Sequence, residues 1–277
     1  MMKAQQLAHL IRQFSEDLPT KGKTLPPKAI AQIAAETNLR GWQIESQALE
    51  RGVMPLRYSR NAQSITITDQ RKLLESSVAI VGLGGLGGIT VETLARLGVG
   101  RIRAADHDSF EPGNLNRQAL ASMDTLGQPK AEVARQRIAE INPSVEFEAQ
   151  TVRLDDETMT DFLTDADIVL DALGGLEMRR ALEQAASKTN VPLVSGALAG
   201  WTGYIATIMP DNSGPAQIMG TNNAAEEKLG CLPMTVNYVS ALMVNECVRL
   251  LCTGKSPVSG HMLLIDLATL TQELVLI

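Results

Sequence analysis

The apolar positions of this chain change their period as it runs. Near the N-terminus they fall at Leu7, Leu10, Ile11, Phe14 and Leu18, a helical stripe that ends at Pro19 and passes into a loop, PTKGKTLPP. The next stretch, KAIAQIAAETNLRGWQIESQALERG, reads as helix, turn at Asn38, helix, with Ile30, Ile33, Leu39, Trp42 and Leu49 available for a small core. From Ser76 on, strand and helix periods alternate. Strands are predicted at 78–81, 101–106, 145–152, 166–173 and 191–198, with helices near 86–97, 128–140, 156–163 and 177–188. Past Gly200, WTGYIATIMP alternates like an exposed strand and NSGPAQIMGTNNAAEEKLG is polar and loop-like. An apolar helix then runs from about Met234 to Leu251, and GHMLLIDLAT and TQELVLI close the chain as two strands joined by a short turn. The pattern predicts an α/β fold: a Rossmann-like doubly wound sheet over 56–277, parallel in its first half with antiparallel C-terminal strands, carrying a small helical appendage at 1–55.

The first strand of that sheet breaks into glycines, VAIVGLGGLGG, before the helical run ITVETLARLGV. Gly82, Gly84 and Gly87 satisfy G-x-G-x-x-G, in which missing side chains permit a tight turn, close approach of a ligand and close helix packing. The free N–H groups at the helix start then face an anion, so a phosphate-bearing ligand is the natural occupant. The pattern alone also fits a tight turn with no ligand; the strand before it and the helix after it raise its meaning.

Composition narrows the classes. With 44% hydrophobic and 20% charged residues in 277, the chain can bury a full core. No apolar run approaches the roughly 20 residues that span a bilayer, and the N-terminus is too polar and acidic for a signal peptide, so the expectation is a cytoplasmic protein without a membrane role. Cys231, Cys247 and Cys252 form no C-x-x-C pair, which argues against a disulfide framework and a structural zinc. The net charge of −6 carries no basic block, so nucleic acid is not an expected partner. The helix-turn-helix resemblance at 1–55, with seven Lys/Arg against five Asp/Glu, fits a docking role better than DNA binding.

Asp106 ends the second strand, 19 positions after Gly87, where a dinucleotide fold places the acid that holds a ribose hydroxyl. To that point an NAD-dependent oxidoreductase fits equally well. The loop that follows decides otherwise: ADHDSFEPGNLNRQ gathers Asn114, Asn116, Arg117 and Gln118, and Lys130 opens the next helix. Cations converging beside a phosphate-binding turn suit a triphosphate better than a nicotinamide. The plainer alternative is that Arg117 and Lys130 are solvated surface charges.

RYSRN, GLGGLGG, DHDSFEPGNLNRQ, GQPKAEVA, INP, VPLVSGA and GHMLLIDLATLT together resemble the ThiF/MoeB/HesA family, which is related to ubiquitin-activating enzymes. The resemblance runs from about Leu56 to the C-terminus, roughly 80% of the chain. It implies adenylation, with ATP and Mg²⁺ as cofactors, of the C-terminal carboxylate of a small ubiquitin-like sulfur-carrier protein ending in Gly-Gly. By position, it assigns Gly82, Gly84, Gly85, Gly87 and Asp106 to the adenosine phosphates and ribose, and Asn114, Arg117 and Lys130 to the triphosphate. Arg60 would reach into the neighbouring subunit's site, which makes Arg60, Arg117 and Lys130 the catalytic cations. A homodimer is expected on a further ground: the Met234–Leu251 helix is apolar on more than one face.

The chain also departs from that family's pattern. Where the family has D-x-x-D, its second aspartate tied to Mg²⁺, this sequence keeps Asp171 and has Gly174, with Glu177 as a nearby substitute or merely a helix-start dipole partner. The two C-x-x-C pairs of zinc-bearing relatives are missing, so no zinc is expected. Cys231 stands about five positions later than the family's loop cysteine; accessible there it would be a reactive thiol, but between Leu229 and Leu232 it reads rather as packed, and Cys247 and Cys252 read as core. These departures leave a second reading, a catalytically reduced nucleotide-binding protein with a regulatory or docking role.

Overall fold

The computed structural model describes residues 2–220 and 224–277. Met2–Phe14 forms α1, four residues shorter than its apolar stripe implies, because Glu16–Leu18 (β1) pairs antiparallel with Gly22–Leu25 (β2). Leu18 thus continues the helical spacing by coincidence, and the expected loop PTKGKTLPP holds a strand reached through Gly22 at φ 67°. Pro27–Thr37 (α2) begins on a proline and ends at Asn38 in the left-handed region, the predicted turn. Gly41–Glu50 (α3) follows, and Met54–Pro55 (β3) adds to β2 in parallel. The appendage is therefore helices plus a three-stranded sheet, closed over Leu7, Leu10, Ile11, Leu25, Ile30, Ile33 and Ile44.

The second helix of the helix-turn-helix does not present itself to solvent as a reading helix. Through Gly41, Trp42 and Glu45 it packs on the rest of the molecule: a Cβ at Gly41 would lie 2.6 Å from Ser144, and the Trp42 N–H donates to the Ser144 carbonyl at 3.1 Å.

Ile67–Glu75 (α4), capped by Thr66, leads into Ser77–Val81 (β4), buried at all five positions as a parallel strand covered on both faces should be. Then follow Gly85–Leu97 (α5), Arg101–Ala105 (β5), Lys130–Ile141 (α6), Glu146–Gln150 (β6), Asp156–Leu163 (α7), Ile168–Asp171 (β7), Arg179–Lys188 (α8) and Leu193–Ala199 (β8). Thr202–Ile208 (β9), Ala216–Met219 (α9), Ala224–Leu229 (α10), Pro233–Thr253 (α11), His261–Asp266 (β10) and Thr271–Leu276 (β11) complete the chain. The sheet order is β11-β10-β9-β8-β7-β4-β5-β6, parallel from β6 to β8 and antiparallel beyond. Val78 and Ile80 face Leu94, Ile138, Val239 and Met243 of α5, α6 and α11; Ala79 and Val81 face Met159, Phe162 and Leu182 of α7 and α8. The chain runs outward from β4 to β6 and then returns to β7, so the crevice between β4 and β7 is the topological switch point.

Two expectations change here. The stretch read as loop over 212–230 contains α9 and α10, with residues 221–223 between them outside the described residues. And α11, whose many-sided apolar surface pointed to a dimer, packs within its own chain against α4, α5, β7, β8 and β9, which accounts for most of that surface. Met234 and Tyr238 are its exposed large apolar side chains. No helix among the described residues is long and apolar enough to cross a membrane.

Candidate functional site

At the carboxyl ends of β4, β5 and β7 the switch point opens into a cavity of about 950 Å³. Its floor is the glycine turn, whose glycines differ in what they permit. Gly82 has φ 99°, and a Cβ there would meet the Ala172 carbonyl oxygen at 2.4 Å. A Cβ on Gly87 would lie 1.9 Å from the Gly82 carbonyl oxygen. Both glycines are thus demanded by the protein's own packing of helix on turn. Gly84 is not: its Cβ would find nothing closer than the Gln118 amide at 3.6 Å, on the cavity side. Gly85 opens α5 at the cavity wall, which sets the start of that helix, where first-turn N–H groups lack helical partners, against the cavity.

Asp106 is buried beside this turn. One carboxylate oxygen accepts the Leu83 N–H at 2.7 Å and the other the Asp108 N–H at 2.8 Å, so the side chain clamps the turn to β5 while lining the cavity. Asn114, Arg117 and Lys130 line it as well. The Asn114 Oδ1 accepts the Glu111 N–H at 3.0 Å, which leaves its amide N–H groups without a partner among the described residues. Arg117 is half-buried, its guanidinium donating to the Gly113 carbonyl and to Asn116 at 3.0 Å each. Lys130, buried at the start of α6, donates to Asp108 at 2.9 Å. Partial burial raises the Asp108 carboxyl, but the bond and charge of Lys130, with His107 and Arg153 nearby, hold it below the ordinary carboxylate range. Arg60 stands apart: it is exposed, makes no ion pair among the described residues and does not line this cavity. Gly87 lies beneath the turn and also does not line it.

Across the crevice, the end of β7 is built differently. Asp171 is buried and accepts from Arg179 Nη1 and from the Ser195 hydroxyl, the latter at 2.7 Å. Arg179 spends its other donors on the loop itself, Nε on the Gly175 carbonyl at 2.8 Å and Nη2 on the Leu173 carbonyl at 2.7 Å. This clamp has no motif of its own, because MRR at a helix start reads as solvated charge. Gly174 sits on the clamped loop with φ outside the left-handed region and no atom within 4 Å of its would-be Cβ. Glu177 is 75% exposed at the rim, 3.9 Å from Arg153.

Two further side chains enter the wall. Gln118 is buried at the cavity with its Oε1 unpartnered among the described residues, a position the sequence shows only as one of several polar loop residues. Cys231, expected to be packed, instead lines the cavity half-buried, because Leu229 turns 56% outward. Its thiol donates to Glu226 at 3.4 Å; burial, then the Glu226 charge, push it up to about 11, so it holds its proton at neutral pH. Cys247 is core as expected, whereas Cys252, on the last turn of α11, is only partly buried against the Asp69 carbonyl.

A magnesium ion would need oxygen ligands facing the phosphates, usually one or two carboxylates. Of the carboxylates at the cavity, Asp106 accepts backbone N–H groups, Asp108 the Lys130 ammonium and Glu226 the Cys231 thiol, with Asp171 held by Arg179 behind the wall; Glu177, Asp266 and Glu273 line it as well. Asp106, His107 and Asp108 lie close together; Asp106 accepts two backbone N–H groups and Asp108 Oδ2 the Lys130 ammonium, while Asp108 Oδ1 lies 3.2 Å from His107 Nε2. Position 174 offers no side chain.

Comparison with known proteins places this architecture. The sequence matches the ThiF family over residues 58–276. It is 32% identical over 221 residues to the molybdopterin-synthase adenylyltransferase of Salmonella typhimurium, covering 77% of this chain and 89% of that protein. It is 32% identical over 218 residues to the sulfur carrier protein ThiS adenylyltransferase of Escherichia coli, with 76% and 86% covered. With the SAMP-activating enzyme E1 of Haloferax volcanii the identity is 33% over 231 residues, with 79% and 84% covered. Among solved structures, Escherichia coli MccB crystallised with ATP superposes with a TM-score of 0.71 at 20% identity, covering 91% of this chain and 79% of that one. That coverage exceeds the span of residues 58–276, so the shared fold takes in part of the N-terminal unit as well.

Proposed function

Because the chain belongs to the ThiF family, we propose that it binds ATP at the switch-point cavity and adenylates the C-terminal carboxylate of a small ubiquitin-like sulfur-carrier protein ending in Gly-Gly. The observation that carries this reading is the convergence of Gly84, Gly85, Asp106, Asn114, Arg117 and Lys130 on one cavity of about 950 Å³. A pocket of that size suits a nucleotide together with the end of a peptide tail.

The chemistry follows from the charges. A carboxylate oxygen of the carrier attacks the α-phosphorus, a P–O bond forms, and the bond to the bridging oxygen breaks with pyrophosphate as the leaving group. Negative charge accumulates on that group, so the protein's task is to hold it with fixed donors. In this reading the first-turn N–H groups of α5, the amide of Asn114 and the cations Arg117 and Lys130, all at the cavity, do that work. Asp106 would hold the ribose while keeping the turn in shape. In this reading two copies form a homodimer, and Arg60, exposed and without an ion pair among the described residues, supplies a third cation to its neighbour's site.

A second reading has its own observation. Position 174 carries no carboxylate and Asp171 is sealed under Arg179, which is the arrangement of a nucleotide binder that has lost its reaction. Pyrophosphate exchange separates the two. Exchange of labelled pyrophosphate into ATP that depends on a small Gly-Gly-ending carrier is the outcome for the enzyme; tight ATP binding with no exchange against any such carrier is the outcome for the binder.

A further inference from the structure

The N-terminal unit is joined to the sheet domain by a buried polar network centred on Glu45 of α3, whose side chain is wholly buried. Its Oε2 accepts the Tyr58 hydroxyl at 2.9 Å and its Oε1 the Ser144 hydroxyl at 3.0 Å. Arg57 Nε lies 3.1 Å from Oε1 as an ion pair, though its N–H is not aimed along that line. The Tyr58 oxygen in turn accepts from Asn142 at 3.1 Å, and Asn142 also donates to the Ala95 carbonyl at 2.8 Å. A carboxylate taken this far from water is costly unless every partner is in place. Its neighbours on the same helix, Ile44 and Ala48, belong to the core of the N-terminal unit, so α3 holds that core with one face and this network with another.

The residues held by Glu45 are the first two of the RYSRN segment, and Arg60 is its fourth. Between them the chain is a tight turn: the Ser59 N–H donates to the Leu56 carbonyl at 3.2 Å and the Asn61 N–H to the Tyr58 carbonyl at 2.9 Å. The path of Arg60 is thus set from Tyr58, and Tyr58 is set from Glu45. Resting on the reading that Arg60 serves the neighbouring copy's nucleotide, we infer that Glu45 is a positioning residue, through which the N-terminal unit aims the Arg60 arm at that nucleotide's terminal phosphates.

The test uses the full chain and two probes, ATP and AMP, by titration calorimetry. Arg60→Ala weakens ATP about tenfold, the loss expected of one charge-assisted contact, and leaves AMP unchanged, because AMP lacks the phosphates the arm would reach. Glu45→Gln weakens ATP about threefold to tenfold with AMP unchanged, and adds nothing further in an Arg60→Ala background. If Glu45→Gln does not fold, Tyr58→Phe keeps the ring against Gly98 and removes only the hydroxyl, with the same expected result. The inference is overturned if Glu45→Gln leaves ATP affinity intact, weakens AMP equally, or keeps its full effect without Arg60. If Arg60→Ala itself changes nothing, the assignment of Arg60 has failed and this inference falls with it; that outcome is distinct from a failure at Glu45 alone.

Discussion

The two sides of the switch-point crevice use similar materials to opposite ends. At the end of β4, glycines, a buried aspartate and a helix start leave N–H groups and bare backbone turned toward the cavity. At the end of β7, an aspartate, glycines and a helix start are also present, but Arg179 draws the aspartate and two loop carbonyls inward. One side leaves backbone N–H groups facing the cavity; on the other, which lines the same cavity, the arginine's donors are spent on the protein. The lesson is that a motif's residues announce a site only when the surrounding packing leaves their polar atoms free.

The sharpest way to break the comparison is Arg179→Ala. Removing the cation leaves Asp171 buried and uncompensated, which costs about 3–5 kcal/mol of stability in urea unfolding. Under conditions where the variant remains folded, ATP affinity should change less than about threefold, because the guanidinium, though it lines the cavity, gives its donors to Asp171 and the loop carbonyls. A variant of normal stability that no longer binds ATP would show that the β7 side is a ligand site after all.

Next is a pair of glycines. Gly87→Ala forces a Cβ onto the Gly82 carbonyl and should cost about 3 kcal/mol by unfolding, with ATP affinity falling at least tenfold as the turn shifts. Gly174→Ala, on the opposite side, has open space and an unstrained backbone and should stay within about 0.5 kcal/mol of the natural chain. Equal effects from the two would mean that the turn is not rigidly specified.

These contrasts also mark what the sequence could tell. The β4 side was legible because G-x-G-x-x-G encodes a packing demand: Gly82 and Gly87 are glycines for contacts that any side chain would break, and a buried apolar strand precedes them. The alternating strands and helices after Ser76 were legible for the same kind of reason, periodicity imposed by burial on both faces. The β7 clamp was not, since Arg179 meets Asp171 across a loop and nothing in the spacing of two charges says that they are buried. Glu45 was hidden likewise, as one acid on an amphipathic helix with partners 13 and 99 residues away. The β1–β2 hairpin was masked by a leucine that happened to continue a helical period.

A smaller effect is expected at Asp106. Asp106→Ala loses the ribose contact of the proposed complex, worth about 1.5–3 kcal/mol for charge-assisted bonds, so ATP should bind about tenfold to a hundredfold more weakly in calorimetry. The loss should exceed that of a contact alone, since the Leu83 and Asp108 N–H groups also lose their acceptor. Unchanged affinity would place the nucleotide elsewhere than on the β4 side.

The smallest and most discriminating effects belong to Gly174 and Glu177, which ask whether the β7 side can be given a ligand role. With no carboxylate at position 174, the natural chain should bind ATP with affinities that differ less than about threefold between Mg²⁺ and a chelator. Gly174→Asp introduces one without backbone strain, because the position is outside the left-handed region and nothing lies within 4 Å of the new Cβ. In that variant Mg²⁺ should tighten ATP roughly tenfold over chelator, as the added carboxylate repels bare phosphates and coordinates the ion when it is present. Glu177→Gln should change affinity less than about twofold, since its carboxylate is 75% exposed and its one ionic contact is at 3.9 Å. A natural chain already dependent on Mg²⁺, and losing that dependence on Glu177→Gln, would show that the rim glutamate does the work Gly174 does not, and the two sides of the crevice would then be less unlike than their packing makes them.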